Sequence, residues 1–197
     1  MPLIHRPTDA PGAAPASLAS GSADERWTAA RALAATAQGV QALAKALAGE
    51  TDPPVREAIF TGLARIATPD SAAAVLPYLR SDDATLRTGA LDALRAMPGA
   101  AKPHLNTLLN DPDADVRLLA CEIVRNLDST EATRLLCALI DGERETNVCA
   151  SAVDVLAEIG TAEALPHLAR CAERFKGDPF LGFSIKVATD RLRTARE

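Results

Sequence analysis

Aromatic side chains are scarce in this 197-residue chain: four Phe, one Trp and one Tyr. So few aromatics argue against a β-rich core, which favours Val, Ile, Tyr and Phe. They also leave little with which to stack unpaired bases. Positive charge is in deficit as well, with 21 Lys and Arg against 26 Asp and Glu, a formal net charge of −5. Such a chain lacks the cationic excess that neutralises phosphates, so no nucleic-acid partner is expected. Long apolar runs are missing too: none reaches the ~18 residues of a membrane span without a charge, Pro or Gly break. Met1–Pro7 lacks the apolar segment of a secretory signal. A soluble, cytoplasmic protein with no membrane partner is the expectation.

Metal-ligating patterns are equally thin. Cys121, Cys137, Cys149 and Cys171 include no C-x-x-C pair, and none has a histidine at ligand spacing. They are expected to be buried, reduced thiols. Of the three histidines, His5, His104 and His167, the last two each follow a proline at matching positions, and no carboxylate flanks them at ligand spacing. No metal and no cofactor are expected.

What the chain has in quantity is alanine and leucine, within a 48% hydrophobic composition. Both are strong helix formers, and Ala allows helix backbones to approach closely. The fold class is therefore all-α. Residues 1–22 are rich in Pro, Ala, Ser and Gly without helical periodicity and read as a flexible N-terminal tail. Ordering of that tail on a partner is the alternative. Residues 23–197 form the folded domain.

Within that domain the sequence repeats itself. Arg26, Arg56, Arg87, Arg117 and Cys149 follow acidic segments at intervals of 30, 31, 30 and 32 residues, and a weaker sixth unit starts at Asp178-Pro179 with Gly182 at the anchor position. After the anchors, small or apolar residues return at +3, +6, +7 and +10, as in Ile59, Gly62, Leu63 and Ile66, or Ala120, Ile123, Val124 and Leu127. At 100° per residue these offsets form one helix face. Another helix precedes each such helix, over residues 40–48, 71–80, 101–110, 131–140 and 162–173. Asp52, Asp82 or Asp83, and Asp113 are placed to cap the helix that follows. A helix pair of ~30 residues cannot bury both apolar faces alone, so neighbours must stack.

The run Asp-x-x-Val-Arg-x-x-Ala-x-x-Ala-Leu, best kept from Asp52, Asp83 and Asp113 onward, resembles the HEAT repeat, in the short variant named after bilin-attaching lyases. The resemblance covers about residues 24–194 and implies a right-handed α-solenoid of about five HEAT-like helical hairpins. It also implies a ladder in which Arg56, Arg87 and Arg117 reach Asp52, Asp83 or Asp113 of neighbouring units, a structural role. Cys149 in place of the fifth Arg should interrupt the ladder and loosen the junction between units four and five. Phe175, Phe180 and Phe183 are expected to close the last apolar face, as a terminal unit requires. Two enzymatic relatives of the fold fail on their own motifs. The di-iron hydroxylases use His-Glu pairs, and no His-Glu dipeptide occurs here; the DNA glycosylases need a basic groove with aromatics.

By the same resemblance, the second helix of each pair lines the concave side. Its exposed offsets gather Trp27, Asp92, Arg95, Leu118, Glu122, Arg125 and Asp154, beside an apolar flank that includes Phe60, Leu91, Cys121 and Val153. Arg95 and Arg125 follow acids at i+3, the spacing of local ion pairs. The flank is either packing between units or part of a partner surface. The function expected is a non-catalytic adaptor, scaffold or assembly factor, bacterial, acting as a monomer or in a heteromeric complex with another protein. The alternative is an accessory subunit or chaperone of a lyase or cofactor-attachment enzyme.

Overall fold

A computed structural model describes residues 17–36 and 38–194; His5 and most of the N-terminal tail, 1–16, lie outside them. Helices follow the repeat register. Asp52 accepts from the Val55 amide, Asp83 from Thr85 and Asp113 from Asp115, so each opens a helix whose next residues are apolar at helical spacing. These helices are α3 (Pro53–Ile66), α5 (Ala84–Ala96) and α8 (Ala114–Val124). With α1 (Ala23–Leu33), α10 (Thr146–Ile159) and α12 (Pro179–Thr194) they form one row. Ser22 starts α1 with a capping box closed by Glu25.

The other row is built from shorter and more broken helices. It contains α2 (Gly39–Leu47), α4 (Pro69–Val75), α6 (Pro98–Ala101), α7 (Leu105–Leu109), α9 (Ser129–Gly142) and α11 (Leu165–Arg174). Proline explains the breaks. Pro77 sits in a 3₁₀ continuation of α4 over Leu76–Arg80, and Pro103 in the 3₁₀ turn Lys102–His104 that joins α6 to α7 as one bent rod. Each lacks the amide that a continuous α-helix needs. Pro166 is tolerated in the first turn of α11, after the 3₁₀ turn Ala162–Ala164.

Neighbours in the first row pack on one another more extensively than neighbours in the second. The first row is therefore the concave, inner one. The described residues give six inner helices and five outer rods: five outer–inner hairpins preceded by α1 alone. Leu43, Ile59, Leu63, Leu94, Leu105, Ile123, Leu136, Ile140 and Leu156 are fully buried between the rows, each worth roughly 1.5–3 kcal/mol of burial. Residues 17–22 lie against the start of this stack: Leu18 packs on the core, and the Arg26 Nη1 donates to the Gly21 carbonyl at 2.8 Å.

The far end differs from expectation. Phe175 is half-buried against the core, but Phe180 is 70% and Phe183 67% exposed. The buried face of α12 is Leu181, Ile185, Ala188 and Leu192. Where α3 turns Phe60 and Ala64 toward the next unit, α12 carries exposed Lys186 and Asp190 at the same register. The last described face along the stack is charged, and the phenylalanines do not cover it.

Candidate inner-face binding site

The inner row divides into an open half and a filled half. Between α3 and α5 lies a trough of about 690 Å³, floored by Phe60, Ala64, Ala93 and Ala96 and edged by Glu57 and Asp92. A second hollow of about 330 Å³ lies between α1 and α3, bounded by Trp27, Arg31 and Ala34. Pro54, Glu57, Thr61 and Arg65 line both, so the two hollows flank the crest of α3.

For Phe60, of the two readings of the flank, the structure gives packing between units: it is 5% exposed. Its ring meets Tyr78 edge-on, with centroids 5.8 Å apart and planes at 88°, a favoured aromatic geometry. On its other side is Gly89, where an added Cβ would come within 2.6 Å of the ring. Cys121 and Val153, from the same flank, are fully buried, and Leu91 and Leu118 are half-buried against the core. Trp27 stays 38% exposed, with the Arg31 guanidinium 4.6 Å from its ring centre.

Toward the C-terminal half, ion pairs occupy the face. Arg125 donates to Glu122 at 3.1 Å, to Asp154 at 2.9 Å and also to Glu158. One guanidinium thus holds three carboxylates from α8 and α10. The Glu122 contact is the i+3 pair that the sequence spacing offers, and Asp154 is paired across units. Arg95 makes no ion pair with Asp92; its Nε donates to Asn126 Oδ1 at 3.4 Å. Asp92 itself is exposed at the trough edge.

The Asp/Arg ladder takes a different path from the one its motif implies. Arg56 does reach Asp83 of the next unit, at 3.0 Å. Arg26 instead grips Glu50 through Nε and Nη2, at 2.8 and 3.0 Å, and Arg117 grips Glu143 at 2.7 and 3.0 Å. These glutamates stand six residues before the next anchor, outside the motif. Asp52 and Asp113 are helix caps and make no inter-unit rung. Arg87 turns back to the Ser81 and Asp82 carbonyls, while Asp111, at the equivalent of Glu50, is held by Arg80. The gap left by Cys149 falls one junction later than expected, because Arg117 already joins units four and five. Arg174 bridges there, donating to the Ile140 and Asp141 carbonyls.

The Arg26 guanidinium, helped by the Asp52 and Thr51 amides, holds the Glu50 carboxyl down at about 2. Burial works to raise Glu143, but Arg117 and two backbone amides outweigh it and keep that group low. All four cysteines are free and buried. Burial pushes the Cys121 thiol up to about 12 and Cys137 to about 11, which makes poor nucleophiles of both. Among the described residues no three His, Cys, Asp or Glu side chains gather around a point that would hold a metal. His104 is half-buried in its 3₁₀ turn. His167 meets a carboxylate that sequence spacing hid: Asp141, from α9, lies 2.9 Å from its Nδ1 and also accepts from Arg170. No described helix is long and apolar enough to cross a membrane.

Comparison with known proteins agrees with this architecture. A solved archaeal HEAT-like repeats protein from Thermococcus onnurineus NA1 superposes with a TM-score of 0.51, at 17% identity over 89% of this chain and 84% of that one. Looser matches, each with a TM-score of 0.44 and 18% identity, are the complex of CpcE and CpcF of phycocyanin lyase from Nostoc sp. PCC7120, over 98% of this chain and all of that one, and a designed armadillo repeat protein, over 89% and 96%. A search of curated proteins by sequence finds no match. The family model described as HEAT repeats matches residues 11–95 and 101–177. That is most of the chain, and it belongs to the HEAT repeat family.

Proposed function

We propose that this protein is a non-catalytic scaffold whose inner face, in the trough over α1, α3 and α5, takes an amphipathic segment of a partner protein. The observation that carries this is the inner face itself: two neighbouring hollows on either side of α3, the larger with an apolar floor and the smaller edged by an exposed Trp27. Solvent-exposed tryptophan beside an apolar cleft is a typical anchor of protein recognition. Glu57 and Asp92 at the edge favour cations beside the apolar residues of the incoming segment. In this reading Trp27 and Asp92 touch the partner directly, and the part-buried Leu91 and Leu118 are further contacts on the same row. Phe60 contributes as floor, and Glu122, Arg125 and Asp154 as a closed neighbouring network.

The test is affinity capture from the native cell with mass spectrometry, repeated with a Trp27→Ala, Glu57→Lys, Asp92→Lys triple variant. All three residues are exposed, so the fold should survive. Proteins captured by the wild type should be lost, with affinity for the purified partner falling at least about tenfold. Equal capture by a folded variant would rule out the trough. A coloured or cofactor-bearing complex would instead favour the accessory-subunit role in cofactor attachment.

A further inference from the structure

The large exposed hydrophobic residues among the described ones are Trp27, Phe180 and Phe183. Trp27 edges the trough; the two phenylalanines sit at the opposite end of the molecule, on α12. Their register identifies the surface they belong to. Pro54, Glu57, Thr61 and Arg65 of α3 line the inner face. Counting from the anchor of each unit, Arg56 and Gly182, the equivalent residues of α12 are Phe180, Phe183, Val187 and Arg191. The aromatic pair therefore continues the inner row.

The electrostatics reverse along that row. Helix α12 carries three cations, Lys186, Arg191 and Arg193, against Asp190, and Asp178 precedes it, in a chain whose net charge is −5. Asp178 is engaged as the cap of α12, accepting from the Leu181 amide at 2.9 Å. Lys186, Arg191 and Arg193 are exposed, and among the described residues none of the three forms an ion pair. On a helical wheel Lys186 and Arg193 fall on one side of the Phe180–Phe183–Val187 strip and Arg191 on the other. Asp190 falls between Phe183 and Lys186, so the strip is an apolar anchor flanked by three cations and one anion, a net positive surround.

We infer that the Phe180–Phe183 strip of α12 is a second docking site, distinct from the trough, for an acidic amphipathic peptide segment of a partner protein. Its carboxylates would lie against Lys186, Arg191 and Arg193, and its apolar residues against the two rings. An anionic bilayer would offer the same charge, but a strip on the concave side of a curved stack does not meet a flat surface. A second copy of this chain would have to present an acidic apolar segment of its own. The exposed carboxylates of the inner face flank a hollow rather than a protruding helix.

The inference is tested by selecting a phage-displayed random peptide library on the immobilised full chain. The winning peptides are then measured by fluorescence anisotropy. Acidic sequences with spaced Leu, Phe or Trp should be enriched. Their affinity should weaken at least about tenfold in Phe180→Ala/Phe183→Ala and in Lys186→Glu/Arg191→Glu/Arg193→Glu, and should fall as salt is raised. The trough variant at Trp27, Glu57 and Asp92 should bind them normally, which separates this site from that one. Both phenylalanines are exposed, so an unchanged melting curve for the alanine pair is the control for folding. Enrichment of basic or uncharged peptides, no enrichment at all, or equal binding by the folded alanine pair would overturn the proposal. So would failure to enrich peptides combined with either binding to phosphatidylserine vesicles or a self-association that the alanine pair abolishes.

Discussion

At the scale of single residues, Gly89 governs the shape of the inner face although it carries no side chain. Its missing Cβ leaves room for the Phe60 ring, and the ring forms the trough floor. Gly89→Ala should gain up to about 1 kcal/mol of helix propensity. It should lose more through the displaced ring, since overpacking costs typically 1–3 kcal/mol. We expect net destabilisation of about 1 kcal/mol in chemical denaturation, largely reversed by adding Phe60→Leu. A stabilised Gly89→Ala protein would show that the ring moves freely. The same pair explains why the sequence alone left Phe60 between packing and a partner surface. Its offset on α3 is that of a flank, and what covers it arrives 29 positions later. Helical periodicity assigns a face to a residue; it does not say whether a neighbouring helix occupies that face.

At the scale of elements, the repeat motif was legible to within a few residues of each helix end, because caps, prolines and apolar offsets agree. Its polar ladder was not. Glu50 and Glu143 stand before the motif begins, in segments that look like ordinary turns, yet they accept the bidentate Arg26 and Arg117 forks. Each also satisfies the two amides that follow it: Thr51 and Asp52, or Arg144 and Glu145. These carboxylates lock the turn into one unit and the Arg into another. Because the folded state holds Glu50 below its ordinary value of 4.5, at about 2, it contributes stability above pH ~4.5 that is lost as pH falls toward 2. Glu50→Gln should therefore be less stable than wild type at pH 7, by about 1.5–3 kcal/mol. The gap should close as pH drops through that window, as followed by thermal melts. A constant gap would mean that the carboxylate charge plays no part.

At the scale of the whole molecule, stability is shared between neighbours, since each unit buries its faces against the next. Helix α12 packs on α10 and α11 and buries Leu181, Ile185 and Leu192. Truncation before Asp178 should lower both the urea midpoint and the m value, as less surface is exposed on unfolding. An unchanged midpoint would place α12 outside the cooperative unit. The charged last described face of the stack was not legible in composition, since three phenylalanines close together suggest a hydrophobic lid. Only the register along α12 separates the face that would receive another unit, bearing Lys186 and Asp190, from the inner face bearing Phe180 and Phe183.

The count of helices in the two rows has a further implication. Six inner helices alternate with five outer rods, like posts and rails, so the described stack begins and ends on the same kind of element. A segment running from one capping aspartate to the next, such as Asp83 to Pro112, contains one inner and one outer element and nothing else. Copying or excising such a segment would change the length of the inner face in steps of one helix spacing, roughly 8–10 Å, without creating a new type of end. The distance between Trp27 and the Phe180–Phe183 pair is thus set by how many modules lie between them. A partner engaging both would measure the array as a ruler does, in whole units.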